Sequence, residues 1–397
     1  MNNGQVSPDI LSRSEPTSTI SMKFFMPFPA KKSAIMLGCL LVLTGTVAGC
    51  LGQGVDTNGV HYALCGSYRI EKFSRQNPAI DNGLFITLEE DGSLRATDLG
   101  SMRTEWTAEI GGTAVSGVIA RNGTIYLVAN PFADTADKQA SSSLRSFSLK
   151  TGLPVGNIGL TFSDGFYIGS AKGVLITANR SGVLTAIDPS LNSVIWTRDV
   201  HVQMTIPPVI SDIGVLVAAK GGRIVVIDPV TGEIISDSHF DRSIATAASL
   251  AGGGLLFADE RGNLERSDSG RTLPLWRFKA GAGIYGVEID GRDVYAASLD
   301  NFIYRLSADS GSVVWRRRMP NRLIAAPLVL GKRIYAAGVG DNEVFVLDSS
   351  NGRFLNRISM GNGVVATGSR IISDGNSFAV PVSGGYALFS RNACRSD

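Results

Sequence analysis

Gly182-Val-Leu-Thr-Ala-Ile-Asp188-Pro-Ser-Leu-Asn-Ser-Val-Ile-Trp196 and Gly222-Arg-Ile-Val-Val-Ile-Asp228-Pro-Val-Thr-Gly232-Glu-Ile-Ile-Ser236 are one pattern written twice, 40 residues apart. In each, a run of Val, Ile and Leu closes on Asp-Pro, a turn follows, and a second apolar run ends at the position of Trp196. Apolar residues alternating with small or polar ones have the period of two expected of half-buried strands. The Thr231-Gly232 pair supplies the positive φ that a tight link between antiparallel strands requires.

Working outward, the pattern returns in Leu94-Arg-Ala-Thr-Asp98 to Trp106, Phe302-Ile-Tyr-Arg-Leu-Ser307 to Trp315, and Val344-Phe-Val-Leu-Asp348 to Asn356. Its last position falls at 106, 156, 196, 236, 276, 315 and 356, in steps of 50, 40, 40, 40, 39 and 41. The ten extra residues of the first step correspond to the polar stretch Asn130 to Ser143, a loop insertion between two strands. Each unit holds four strands; in the fourth unit they fall near 205–210, 214–218, 223–227 and 233–239. Four-stranded antiparallel units at this period build propeller blades, whereas a parallel β-helix repeats over shorter coils without hairpin-linked strands.

The last unit offers strands near 366–372, 376–380 and 384–389 and then the chain ends. Asn77-Pro78-Ala-Ile-Asp-Asn-Gly-Leu-Phe-Ile86 matches Ala326-Pro327-Leu-Val-Leu-Gly-Lys-Arg-Ile-Tyr335 and so begins the first unit, leaving 67–73 as the missing outer strand of the last. The sequence thus predicts an all-β, eight-bladed propeller closed by its N-terminal strand, which removes open edges that would template aggregation. Residues 67–397 are expected to form this single domain.

Upstream, Lys23, Lys31 and Lys32 precede the apolar run Ala34 to Leu43, the layout of a signal peptide, and Met22 opens one of ordinary length. The run is too short for the roughly 20 apolar residues of a membrane span. It ends Val47-Ala48-Gly49-Cys50, which resembles the bacterial lipobox, in which a cysteine thiol takes diacylglycerol as a thioether. Residues 1–49 are then a polar extension and signal peptide, Cys50 the lipid anchor and 50–66 a tether. Multiple acyl chains hold a protein firmly on a bilayer. Leu51 resembles the residues that permit transfer to an outer membrane, where inner-membrane retention usually needs Asp.

Cys65 and Cys394 flank the two strands that pair at the closure, and antiparallel pairing brings such positions together at the hairpin end. In an oxidising exported compartment a Cys65–Cys394 disulfide follows, worth roughly 5 kcal/mol as an upper figure in the chain-entropy model. Two free terminal thiols are the plainer alternative.

Composition narrows the function classes. Lys and Arg total 37 against 35 Asp and Glu, a net charge of +2, which lacks the basic field of a nucleic-acid binder. The three histidines, His61, His201 and His239, have no metal-ligand spacing, and the four cysteines include no CxxC pair. Gly252 to Gly254 and Gly281 to Gly283 lie within or between strands, where turns explain them better than phosphate loops do.

The repeat Asp-Pro-x-Thr-Gly-x-x-x-Trp resembles the blades of pyrroloquinoline-quinone-type propellers over about residues 67 to 390. Members of that superfamily holding the quinone carry a vicinal cysteine pair and a calcium site; no two cysteines are adjacent here, so the resemblance implies the fold without cofactor or metal. With its lipobox and layout the chain is similar to the BamB family of lipoproteins, which serve the machine that assembles outer-membrane β-barrels. It departs from that family's pattern at Gly156, Ser236 and Asn356, which replace Trp, and in its terminal cysteine pair. The resemblance implies a non-enzymatic outer-membrane lipoprotein with its propeller in the periplasm, binding subunits of an envelope protein complex. A scaffold in a secretion or pilus system, or a quinoprotein-type enzyme, are the alternatives.

One local feature stands out as a candidate partner-binding patch: Trp315-Arg316-Arg317-Arg318-Met-Pro-Asn321-Arg322. Arginine favours interfaces, although an ordinary charged outer strand reads the same way. Consecutive arginines cannot share one face of a strand, so at least one of Arg316, Arg317 and Arg318 must point outward. The loops joining blades and those joining second to third strands emerge on one face. The Arg316 to Arg322 segment, leading between blades, and the 130–143 insertion are therefore expected on the same side, opposite the Thr-Gly turns, the Cys65–Cys394 clasp and the start of the tether.

Overall fold

The computed structural model describes residues 62–391 except 70–75, 90, 133–140, 163, 211–213, 241 and 269–272. Cys50 and Cys394 lie outside the described residues. The strands form eight antiparallel sheets, the blades of a β-propeller, numbered here in chain order. Blade 1, for example, runs Ala79–Asp81, Leu84–Leu88, Ser93–Asp98 and Thr104–Glu109 from the centre outward. In blade 2 the innermost strand is split into Thr113–Ala114 and Ile119–Arg121, both pairing with Thr124–Asn130. The expected insertion falls between its second and third strands, Thr124–Asn130 and Ser143–Ser148.

Closure is as expected in kind and shifted in register. Blade 8 takes Ile372–Ser373, Ser377–Val382 and Gly385–Ser390 from the C-terminus and Ala63–Arg69 from the N-terminus as its outer strand. That strand begins earlier than the 67–73 read from the sequence, because Ala63 pairs with Ser390 and Arg69 with Gly385, with a bulge between Leu64 and Gly66. Tyr62 then reaches the core between blades 7 and 8, with Tyr335 and Phe378 at ring distances of 5.5 and 4.9 Å.

Apolar side chains of period two must be covered on both faces of every blade. Eight clusters of buried residues do this, one at each junction between neighbouring blades. The seam between blades 8 and 1 is filled by Ile80, Phe85, Tyr386 and Leu388, so the ring closes with the same packing that joins its other blades.

A second inter-blade contact explains the repeat. Each of the four tryptophans lies on an outer strand and donates its indole N–H to a carbonyl in the turn between third and fourth strands of the next blade. Trp106 reaches Leu149 O (3.0 Å), Trp196 Pro229 O (3.1 Å), Trp276 Ala308 O (2.8 Å) and Trp315 Ser349 O (3.0 Å). The indole face covers the positive-φ residue of that turn. A Cβ at Gly152, Gly232, Gly311 or Gly352 would meet it at 2.5 to 2.7 Å. Two described turns that follow a blade without tryptophan hold another residue there: Asn192 (φ 49°) faces Gly156, and Met102 (φ 59°) follows blade 8. Asparagine tolerates positive φ well, so the indole rather than the backbone angle is what demands glycine here. The turn's Asp completes it: backbone N–H groups of Thr231 and Val230 donate to Asp228 and hold its carboxyl below the usual range, aided by Lys172.

Gly352 and Gly363 share positive φ, but only Gly352 lies under an indole, while Gly363 has open space around it. Gly363→Ala is expected to cost about 1–2 kcal/mol of left-handed strain, and Gly352→Ala about 1–3 kcal/mol more through overpacking. Denaturant unfolding of the two variants measures the difference.

Candidate functional site

In each blade the chain alternates direction, so the links between blades and the loops from second to third strand share one side, the connecting face. Two contacts bear this out. Arg180 and Ser181, between Val174–Asn179 and Val183–Asp188, line one cleft of about 450 Å³ with His201 and Gln203, which lead into the next blade. On the opposite side, the turn face, Lys172 from a first-to-second-strand turn lies 3.6 Å from Asp228 in a third-to-fourth-strand turn.

The connecting face is built on hydrogen-bonded loops. In blade 7 the buried carboxylate of Asp341 accepts from Asn321 Nδ2 at 2.6 Å and from the Gly338 N–H at 2.5 Å, tying an inter-blade link to the second-to-third-strand loop. Val339 N–H donates to Arg322 O at 2.9 Å, and Ala366 N–H to Asp341 O at 2.7 Å. These bonds hold three apolar side chains in solvent: Ile324, Val339 and Val365 are 42%, 45% and 38% exposed. Gly368 lets them approach, since a Cβ there would fall 2.6 Å from Val339 Cγ2 and 3.1 Å from Ile324 Cγ1. Arg322, also exposed, borders the patch. Phe132, 45% exposed at the start of the insertion, covers Gly92 on the same face at blades 1 and 2.

The arginine run of the sequence is divided by the structure. Arg316 and Arg318 are exposed on the outer strand Val313–Arg318, with Arg316 over the Phe302 ring at 5.4 Å. Arg317 turns the other way: its Nε donates to Gly352 O at 2.6 Å and its guanidinium lies over Phe354 at 5.5 Å, joining blade 6 to blade 7. Arg322 alone of the four sits in a connecting-face loop. The Ile324, Val339 and Val365 patch escaped sequence reading, because it depends on bonds between residues 321, 338 and 341. Its one local signal is Gly338-Val-Gly-Asp341, a glycine-rich turn around an apolar residue.

Among the described residues no group of three or more His, Cys, Asp or Glu side chains is placed to hold a metal ion. Arg317→Ala, which leaves the Gly352 carbonyl without its charged donor, is expected to destabilise by about 1.5–3 kcal/mol, against about 0.5 kcal/mol or less for the exposed Arg318→Ala. Parallel denaturant titrations read both values.

The propeller architecture is shared with solved structures. The computationally designed Ika8 protein superposes with a TM-score of 0.65 at 12% identity, over 82% of this chain and 99% of that one. BamB of Moraxella catarrhalis gives 0.59 at 14%, over 85% and 99%. At such identities the likeness shows the fold alone. Two curated outer membrane protein assembly factors BamB are nearer in sequence. That of Bordetella pertussis is 30% identical over 176 residues, 41% of this chain and 45% of its own. That of Taylorella asinigenitalis is 24% identical over 162 residues, 37% and 42%. The matches thus span less than half the length of either relative. The sequence model of the family described as outer membrane protein assembly factor BamB matches residues 140–264 and 260–388, blades 2 to 8 and well over half of the chain, and the chain belongs to that family.

Proposed function

We propose that this protein is a lipid-anchored, non-enzymatic scaffold of outer-membrane protein assembly, holding protein subunits of an envelope complex on its connecting face. The observation that carries the reading is the patch of Ile324, Val339 and Val365 beside Arg322, apolar side chains kept in solvent by loops that a buried Asp341 fixes. Pre-ordered loops lose little entropy on binding, and a small apolar centre with arginine at its rim is the composition of interface hot spots. The Phe132 side of the insertion offers a second contact on the same face. Family membership supports the assembly role, and the fold adds that such a protein works by presenting surfaces.

In this reading Cys50 carries the acyl chains, the protein sits at the outer membrane with its propeller in the periplasm, and Cys65 pairs with Cys394. Support for the pair comes from the closure: Leu64 pairs with Phe389 and Ala63 with Ser390, which places Cys65, in the bulge, beside the strand end that leads to Cys394.

Ile324→Asp with Val339→Asp, or Arg322→Glu, should reduce crosslinked co-purification of envelope partners, with denaturation unchanged. Equal loss from Val230→Asp, exposed on the turn face, with none from these residues, would place binding on the wrong side. Cys65→Ser and Cys394→Ser should destabilise similarly and the double variant no further, since both remove one bond. Two reactive thiols in the unfolded, unreduced mature chain would dismiss that clasp.

A further inference from the structure

The rim of the propeller is electrically lopsided about the point where the tether enters. Tyr62, the first described residue, is fastened at the turn face of blade 8: its hydroxyl donates to Gly375 O at 3.3 Å and accepts from Arg391 Nε at 2.7 Å. On one side lie blades 7 and 6. Their outer strands, Phe-Leu-Asn-Arg-Ile-Ser and Val-Val-Trp-Arg-Arg-Arg, contain no carboxylate. Exposed Lys332, Arg353 and Arg292 stand at the adjoining turns, with Arg316 and Arg357 on the rim. The turns also hold carboxylates: Asp309 lies 3.8 Å from Arg292, which Asp290 and Asp293 flank, Asp293 pairs with Arg305 at 2.7 Å, and Asp348 shares the turn of Arg353. The excess of positive charge therefore comes from Lys332 and from the rim, where Arg316, Arg318 and Arg357 face only Glu343, 3.9 Å from Arg357. Val313 and Val314, 47% and 51% exposed, open the blade 6 strand at the same corner.

Blade 1, on the other side of the tether, has the opposite sign. Its outer strand Thr-Glu-Trp-Thr-Ala-Glu carries two glutamates and no cation, with Arg103 just before it. At the seam with blade 8 a turn-face pocket of about 560 Å³ is lined by Asp81, Asp98 and Asp374.

We propose that the corner of blades 6 and 7, where rim meets turn face, rests on anionic phospholipid headgroups and so orients the propeller on the membrane. The orientation rests on the lipid-anchor reading of Cys50, from which Tyr62 is twelve residues away, at most about 40 Å of extended chain. A propeller held that close by blade 8 brings either blade 7 or blade 1 toward the headgroups. An anionic surface attracts the first and repels the second. Long cationic side chains on a convex rim suit a fluid layer of phosphates better than an acidic peptide, which needs a register to be read. Val313 and Val314 supply apolar contact at the headgroup boundary, as at interfacial protein surfaces. The connecting face is left turned away from the bilayer, free for protein partners.

The test uses the mature chain 50–397 carrying Cys50→Ala, so that no acyl chain masks the contact, and vesicles of phosphatidylcholine with or without phosphatidylglycerol. Binding is expected to the phosphatidylglycerol vesicles only, and to be reversed by salt. Lys332→Glu, Arg353→Glu and Arg316→Glu together should weaken partitioning by about a hundredfold or more, about fivefold for each charge removed. Lys150→Glu, Lys220→Glu and Arg261→Glu, an equal change of charge on blades 2, 4 and 5, should bind like the parent chain. Equal weakening by the two triple variants, absence of binding to anionic vesicles, or saturable binding of a polyglutamate peptide in its place would each overturn the proposal. Incorporation of labelled fatty acid by the chain with native Cys50 is read separately, so failure of the anchor and failure of the headgroup contact are told apart.

Discussion

At four of the eight blade junctions a tryptophan indole lies flat against a glycine Cα in the neighbouring blade and hydrogen-bonds the turn that holds it, and the alignment of those blades depends on this contact. A blade alone is a four-stranded sheet with two apolar faces and cannot persist in water. Burial between blades supplies the driving force, but apolar contact is non-directional and would permit sliding. The indole N–H fixes how far one blade advances over the next: Trp196 meets Pro229 O and Trp315 meets Ser349 O at the same turn position. The glycine beneath lets the two backbones approach to that distance, and the Asp of the turn presents the carbonyl by binding the amides that follow it. Gly and Trp in all four turns, with Asp in two of them, Asp228 and Asp348, and Ser148 and Ser307 in its place in the others, are therefore one interaction divided between two consecutive units.

That division explains how much could be read from the sequence. The spacing of about forty residues is legible at the position held by Trp106, Trp196, Trp276 and Trp315, and by Gly156, Ser236 and Asn356 in other units, because each blade repeats the same strand pattern, and the four-strand units and the insertion after Asn130 follow from it. The absence of Gly at Asn192 looks like an irregularity in sequence. In space it answers the absence of Trp at Gly156, the pair being 36 residues apart and in contact. Arg316 to Arg318 read as one patch, yet strand alternation sends Arg317 across the blade junction to Gly352. The closing strand starts at Ala63 and not at 67 because its pairing continues along the whole of Gly385–Ser390, and a bulge at Cys65, invisible to periodicity, adds one residue more. The apolar patch on the connecting face was out of reach for a similar reason: it is made by Asp341 bonding residues of two different loops.

The same architecture separates surfaces by chemistry. Loops that join blades converge on one face, where Asp341 and its neighbours hold side chains rigid enough to be recognised. The outer strands are free edges with no neighbour to satisfy, and their composition can drift without touching the core. They are acidic in blade 1, apolar in blades 3 and 4, where Val194, Ile195, Ile234 and Ile235 are exposed, and basic in blades 5 to 7. Charge at an open edge also discourages pairing with another chain. A ring with distinct rim sectors and one loop-bearing face can meet a membrane and a protein partner at once without either contact passing through its core.

The interlock is tested most directly by hydrogen exchange at the four indole N–H groups, which give separate signals in a nitrogen-labelled sample. If each indole is clamped in the turn of the next blade, all four should exchange as slowly as the most protected strand amides, because release requires neighbouring blades to part. Exchange of these protons at the rate of a free indole, while the strand amides stay protected, would contradict it.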